Sequence, residues 1–420
     1  MMTSDNPDRA FVWSWLPDAH EPIPTGVLEA LPAPGGGFVI TFAYGQSYLA
    51  NDAALPLYLP ELPLGRGRIE PGPGLDVAGV IRDGGPDAWG QRVIMRQFAL
   101  DARLHDPAEV PLLTYLLRSG SNRPGALDFQ ESPTEYLPRL HDASIEDLLK
   151  AADAIQDGDE LDANLAEALT AGSSVGGARP KATLADGSRN MIAKFSSRTD
   201  TYPVIKAEAA AMRLARLAGL DVAETELVEV AGRDVLLVDR FDRDAGDARR
   251  AFVSALTILG LHEMAGRHAS YHGLADVVRQ RFVRRKATLR ELFARIVFNI
   301  VIGNTDDHAR NHAAFWNGER LELTPAYDIC PQARAGGEQA QAMAIAPDGG
   351  RLSQFATCLR GARHYDLSEA DARSIIDGQV RVVTEHWDEV ADDVGLTGAE
   401  RGRLWGNQVM NPFATYGYAT

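Results

Sequence analysis

Asn304-Thr305-Asp306-Asp307-His308-Ala309-Arg310-Asn311, followed after a short apolar segment by Pro325-Ala326-Tyr327-Asp328, is the stretch on which the reading of this chain turns. It places an Asp, an Asn five residues on, and then a further Asp. Phosphoryl transfer needs one carboxylate to orient the attacking hydroxyl and take its proton. It also needs an amide oxygen and a second carboxylate to hold Mg²⁺ on the nucleotide phosphates. The order and spacing of Asp306, Asn311 and Asp328 fit those three roles, and the spacing to Asn311 favours Asp306 over the adjacent Asp307. A His-Arg-Asp opening is missing, so the motif is not that of an ordinary protein kinase. Asp and Asn also gather in turns, where their side chains bond local backbone, and a plain turn fits this run equally well when it is taken alone.

The chain has 420 residues, enough for two or three lobes with their own cores. Apolar residues make up 45% and charged residues 24%, the balance of an ordinary globular protein. No apolar run is long enough to cross a bilayer, and the start lacks the basic-then-apolar pattern of a secretory signal. Two cysteines, Cys330 and Cys358, are too few for a disulfide framework or a cysteine metal site. A cytoplasmic location without membrane attachment is the expectation. The net charge of −16 opposes unassisted binding to DNA or RNA. The best basic patch, Arg279, Arg281, Arg284, Arg285, Lys286 and Arg290, reads first as a solvated helix face.

The pattern predicts a mixed α/β first half and a mostly helical second half. Strands are expected over 38–44 and 190–195, with a hairpin of 224–230 and 233–238 turning at Ala231-Gly232. Helices are expected over 91–99 and 203–218, and over 289–300 from apolar residues at i, i+3, i+4 and i+7. Further helices are expected over 369–377, 380–394 and 398–408, and a Gly- and Pro-rich loop over 119–138.

Three more pieces carry chemistry. Gly172-Ser173-Ser174-Val175-Gly176-Gly177-Ala178-Arg179-Pro180-Lys181 is a glycine-rich turn whose backbone N–H groups could approach phosphates, though it lacks the Walker ending. Lys181 there also fits a solvated loop charge. Lys194 lies inside an apolar strand, as the phosphate-holding lysine of kinases does, or it is an edge-strand lysine facing solvent. Glu208 on the next helix is a candidate partner for it. Asp239-Arg240-Phe241-Asp242-Arg243 leaves the hairpin where a bilobal kinase has its adenine-binding hinge, and an ordinary charged loop would look the same.

Together these residues give the chain its resemblance. Ser174 to Lys181, Ala193-Lys194, Asp239 to Arg243, Asn304 to Asn311 and Ala326-Tyr327-Asp328 resemble the HipA family of serine/threonine kinases, toxins of bacterial type II toxin–antitoxin pairs. Phe42-Ala43-Tyr44, Pro56-Leu57 and Gly84-Gly85-Pro86-Asp87-Ala88-Trp89-Gly90 fit that family's first subdomain, so the resemblance covers most of the chain.

It implies an α+β, bilobal protein-kinase-like fold: a β-rich N-terminal subdomain over 1–120, an ATP-binding part over 140–240 and a helical catalytic lobe over 241–420. It makes Asp306 the catalytic base and Asn311 and Asp328 the Mg²⁺ ligands. Val175, Gly176, Gly177, Ala178, Arg179, Pro180 and Lys181 cover the ATP phosphates, and Lys194 contacts them. Asp239 and Phe241 meet adenine, largely through backbone, with Arg240 between them also in the ATP site; His308, Ala309, Arg310 and Asn311 line the phosphate side, and Ser174 is the autophosphorylated serine. Arg179-Pro180 departs from members with Gln then Glu, and the proline removes one backbone donor. The implied partners are a target protein, foremost an aminoacyl-tRNA synthetase, and a small helix-turn-helix antitoxin of HipB type, with DNA reached only through the antitoxin. The alternatives are a catalytically silent subunit of a toxin–antitoxin complex and a small-molecule or lipid kinase.

Overall fold

The computed structural model describes residues 7–33, 36–99, 110–140, 144–157, 179–186, 189–197, 200–244, 248–333 and 336–418. Of the predicted site, Ser174 to Ala178 lie outside the described residues. Three sheets organise what is described. The first is antiparallel and ordered β4-β3-β2-β1-β5. Its strands are β1 (Arg9–Ser14), β2 (Ile23–Pro32), β3 (Phe38–Tyr44), β4 (Arg68–Ile69) and β5 (Leu127–Gln130). The loop predicted over 119–138 therefore contains a strand, and the first sheet reaches past residue 120. Four residues are too few to show a period, and the pairing of β5 with β1 forms that strand.

The second sheet is β6 (Lys181–Asp186), β7 (Arg189–Phe195), β8 (Thr225–Val230) and β9 (Arg233–Asp239), ordered β6-β7-β9-β8. Alternation sorts its faces. Ala182, Met191, Ala193, Phe195, Val235 and Leu237 pack with Trp89 and Val93 of helix Ala88–Ala99 and with Leu148 and Leu149 of helix Ile145–Asp157. Leu236 and Val238 join the main core with helix Val204–Leu217, so Lys194, out of phase with Ala193, is carried on that opposite face.

The third sheet, β10 (Phe252–Ser254), β11 (Ala313–Trp316) and β12 (Leu321–Leu323), lies in the half expected to be helical. Helix Arg285–Ile302 runs through the core, buried at nearly every position from Leu292 onward. It stops at Gly303, whose φ of 74° is left-handed; a Cβ there would collide with the Gln408 carbonyl. That glycine releases the chain into Asn304. The helices expected over 369–377 and 380–394 are one helix, Glu369–Asp393, started by a capping box of Ser368 and Asp371. Gly378 costs about 1 kcal/mol there, less than packing on the central helix returns. The helix predicted over 398–408 ends early, as Gly398–Leu404. Two of the patch's cations are paired locally, Arg279 with Asp276 and Arg284 with Glu322, while Arg281 donates to the neutral Tyr58 Oη.

Candidate active site

Glycine-terminated and backbone-locked, the loop after the central helix is held from below. Asn304 N–H donates to Asn299 O at 2.8 Å and its Nδ2 to Asn299 Oδ1 at 3.0 Å. Asn299 Nδ2 then donates to Asp307 Oδ2 at 2.6 Å, and His312 Nε2 lies 2.9 Å from Asp307 Oδ1. These contacts separate the two adjacent carboxylates. Asp307 is buried and consumed by the loop's own support, whereas Asp306 opens into a cleft.

That cleft, a cavity of about 420 Å³, lies between the second sheet and the helical half. Asp306, Asn311 and Asp328 line it from one side, Lys181 and Lys194 from the other. Asn311 Nδ2 donates to the Asp306 carbonyl at 3.3 Å, which commits the amide nitrogen and leaves the oxygen as the ligand-competent atom. Asp328 sits at φ 60°, a left-handed conformation that Asp tolerates better than bulkier residues do. The segment before it is tethered by Arg295 Nη2 to Thr324 O at 2.8 Å and by Ala326 N to Asp221 O at 2.7 Å.

Lys194 bonds both Glu208 and Asp328. Burial works against its charge, but the two carboxylates outweigh burial and keep the ammonium firmly protonated. Glu208 is pushed up by burial despite Lys194. Asp328 is also pushed up by burial, yet Lys194 and Lys181 reverse this and hold it well below the carboxylate range. Lys181 is a strand residue rather than a solvated loop charge: it stands directly across from Lys194 in the β6–β7 register, buried. Like charges so placed destabilise a sheet unless anions offset them. Burial, with Lys194 adding to it, lowers the Lys181 ammonium. Partial burial raises Asp306 above its ordinary value, Asp328 adds to the rise, and His308 opposes it.

The remaining predicted residues divide. Arg179 lines the cleft and pairs with Asp200. Pro180 supplies its carbonyl to Phe195 N at 3.0 Å, which extends the β6–β7 ladder. His308 lines the cleft, and its Nδ1 accepts from Arg310 N at 3.3 Å. Ala309 is buried, its carbonyl bonded by Leu256 N.

Arg310 and Arg240 line the cleft, and their guanidinium groups are held by protein partners. The Arg310 guanidinium pairs with Asp87 and approaches Glu263 at 3.7 Å. The Arg240 guanidinium is buried among Asp242, the Asn122 carbonyl and the Arg123 carbonyl. In the hinge segment, the backbone N–H groups of Asp239 and Arg240 already donate to Glu224 O and Asn190 O. Asp239, Arg240 and Phe241 all line the cleft, and the Phe241 ring is tilted against Tyr327 at 5.5 Å between centroids. Tyr327, Phe252 and Asp87 complete the wall. Sequence reading did not assign them to the site, although Tyr327 and Asp87 stood inside motifs it had quoted.

Among the described residues no group of three or more His, Cys, Asp or Glu is set to hold a metal ion. A site of Asn311 and Asp328 alone suits Mg²⁺, which keeps several waters and shares its coordination with substrate phosphates. No described helix is long and apolar enough to cross a membrane.

The sequence model of the HipA-like C-terminal domain family matches residues 173–387. Y4mE of Sinorhizobium fredii, provisionally named a kinase, is 30% identical over 146 residues, covering 33% of this chain and 33% of its own. The serine/threonine-protein kinase toxin HipA of Shewanella oneidensis is 27% identical over 140 residues, 28% of this chain and 32% of its own. The matched stretches thus span about a third of these relatives' lengths. A chain in the structure of the Shewanella oneidensis MR-1 toxin–antitoxin system, HipA and HipB with operator DNA, aligns over 94% of this chain and 95% of its own. The TM-score is 0.67 at 19% identity, a likeness of fold, and the fold is kinase-like.

Proposed function

The chain belongs to the HipA-like C-terminal domain family, and from that premise we propose that it is an ATP- and Mg²⁺-dependent protein serine/threonine kinase. The observation that carries this reading is the convergence of Lys194, Glu208, Asp306, Asn311 and Asp328 on one cleft. Asp306 orients a substrate hydroxyl and takes its proton. Partial burial raises its carboxyl, which makes the Asp306 carboxylate a stronger base than an ordinary aspartate. Lys194, kept protonated and oriented by Glu208, meets the nucleotide phosphates, with Lys181 beside it. Asn311 Oδ1 and the Asp328 carboxylate would hold Mg²⁺, which neutralises charge on the phosphates. Phe241 and Tyr327 give the base of the nucleotide an aromatic wall.

The finer reading follows the family. The acceptor is a protein, foremost an aminoacyl-tRNA synthetase, and the partner is a small HipB-like antitoxin suited to an acidic surface. Ser174 in the glycine-rich segment is the self-modification site, where a phosphate would bring about −1.5 to −2 charges into a segment meant for ATP phosphates.

Incubation with γ-labelled ATP and Mg²⁺, alone and with cell extract, tests the activity. Wild type is expected to label itself or an extract protein. Asp306→Asn should lose on the order of 10²–10⁴-fold in rate, the usual share of a general base, while still binding nucleotide. A wild type that transfers no phosphate, or an Asp306→Asn variant as fast as wild type, rejects the reading.

A further inference from the structure

The turn Gly84-Gly85-Pro86-Asp87-Ala88-Trp89 belongs to the N-terminal subdomain, yet it grips both walls of the cleft. Trp89 is buried against Val93, Phe195 and Val235, and its Nε1 donates to the Lys181 carbonyl at 3.0 Å. That contact lies on the sheet wall, at the residue opposite Lys194. Two residues earlier, the Asp87 carboxylate pairs with Arg310 on the catalytic-loop wall. The turn is itself fixed. Arg123 Nη1 donates to the Gly84 carbonyl at 2.9 Å, and Asp83 accepts from Ser254 N and Oγ, both at 2.7 Å.

Arg310 is a junction of the catalytic loop. Its carbonyl accepts from Tyr327 Oη at 2.7 Å, next to Asp328, and its N–H donates to His308 Nδ1. Among the described residues its buried Nε has no hydrogen-bond partner, so its fixed position depends on the far end of the guanidinium. Asp87 and Glu263 hold that end, and of these Asp87 makes the direct contact.

We propose that Asp87 is a positioning residue for phosphoryl transfer. Through Arg310 it fixes the catalytic loop relative to the lysine-bearing sheet, and the N-terminal subdomain thereby sets the geometry between Asp306 and the phosphates. The proposal rests on the kinase reading above. Nothing in it asks Asp87 to touch substrate. Its removal should therefore leave nucleotide affinity intact and slow the transfer step, because small misplacements of reacting groups carry large rate costs.

Asp87→Asn is the variant of choice. The Asp87 carbonyl accepts from Gln91 N at the start of helix Ala88–Ala99, and Asn starts helices as well as Asp does. The full chain is compared for Mg²⁺–ATP affinity, single-turnover phosphate transfer and unfolding midpoint. The expected result is unchanged affinity and midpoint with transfer slowed roughly tenfold or more. Asp87→Glu should recover most of the rate. The losses from Asp87→Asn and Arg310→Gln should fail to add in the double variant, as for two ends of one contact. Wild-type transfer by Asp87→Asn overturns the proposal. So does a joint loss of affinity and rate that Asp87→Glu does not relieve, which would mark general distortion. A wild type that transfers no phosphate removes the kinase reading and this proposal together; an active wild type with an equally active Asp87→Asn removes only the proposal.

Discussion

Asp328 and Asp242 are two carboxylates in similar electrostatic positions with opposite consequences. Burial pushes each upward, and two cations hold each well below the carboxylate range: Lys194 and Lys181 for Asp328, Arg240 and Arg243 for Asp242. Asp242 is sealed. It is 7% exposed, its arginines are 2% and 3% exposed, and Gly125 N–H adds a third donor at 2.7 Å. Arg240 and Arg243 then bond carbonyls at Arg123 and neighbouring positions, so the cluster joins the second sheet to the N-terminal subdomain. Asp328 is 36% exposed, and its bonded cation is a lysine shared with Glu208. Arginine forks fix geometry, whereas a lysine point charge can exchange partners. The sealed cluster is built to keep its contacts; the open one is built so that phosphates and a metal can replace them.

The comparison predicts that damage to the first cluster lowers stability and damage to the second lowers activity. Asp242→Asn has the largest expected effect. It leaves two buried guanidinium groups short of their anion and should cost about 3–5 kcal/mol of unfolding free energy by denaturant titration. The sign with pH follows from the depressed carboxyl. The native state keeps Asp242 ionised while the unfolded chain takes up its proton near pH 4, so its contribution is full above about pH 4 and shrinks as the pH falls below it. The wild-type minus variant stability difference should close in acid. A difference that grows on acidification would break the comparison.

Glu208→Gln comes next. Lys194 keeps Asp328 as a partner, so stability should change less than for Asp242→Asn, while transfer falls about tenfold as the lysine loses its orienting anion. Equal stability losses for the two variants would erase the distinction between sealed and open clusters. The smallest effect belongs to Arg189→Gln. Arg189 bridges Glu226 and Asp239 on the exposed side of the same sheet. Its loss should shift the unfolding free energy by less than about 1 kcal/mol and leave transfer untouched. A large change in either would show that Asp239 reaches the cleft chemistry through its side chain.

Much of this site was legible because its signals are local. The five-residue step from Asp306 to Asn311 survives any folding, and an apolar helix ending in Gly303 marks where the loop must begin. Lys194 was readable as a lysine inside an apolar strand, but its face was settled only by the packing of the sheet. Glu208 was harder: nothing local says that a carboxylate 14 residues away turns inward. The protein partners of the Arg240 and Arg310 side chains, both of which line the cleft, were not legible. Their positions in a motif suggested phosphate and adenine, while their partners come from Asn122, Arg123 and Asp87, more than a hundred residues distant. The continuous helix across Gly378 and the short third sheet escaped for a related cause, since packing overrode a weak local preference.

By itself the sequence determined which chemical groups are present, their order, and the local backbone that presents them: the apolar central helix, its glycine stop, the strand lysine and the carboxylate–amide step. Spacing and periodicity carry that information because they act over a few residues. Only the tertiary structure decided which of Asp306 and Asp307 faces the cleft, that Lys181 stands opposite Lys194, and that Asp87 reaches the catalytic loop. Those facts depend on burial and on charges brought together from distant segments, which no short stretch of the chain encodes.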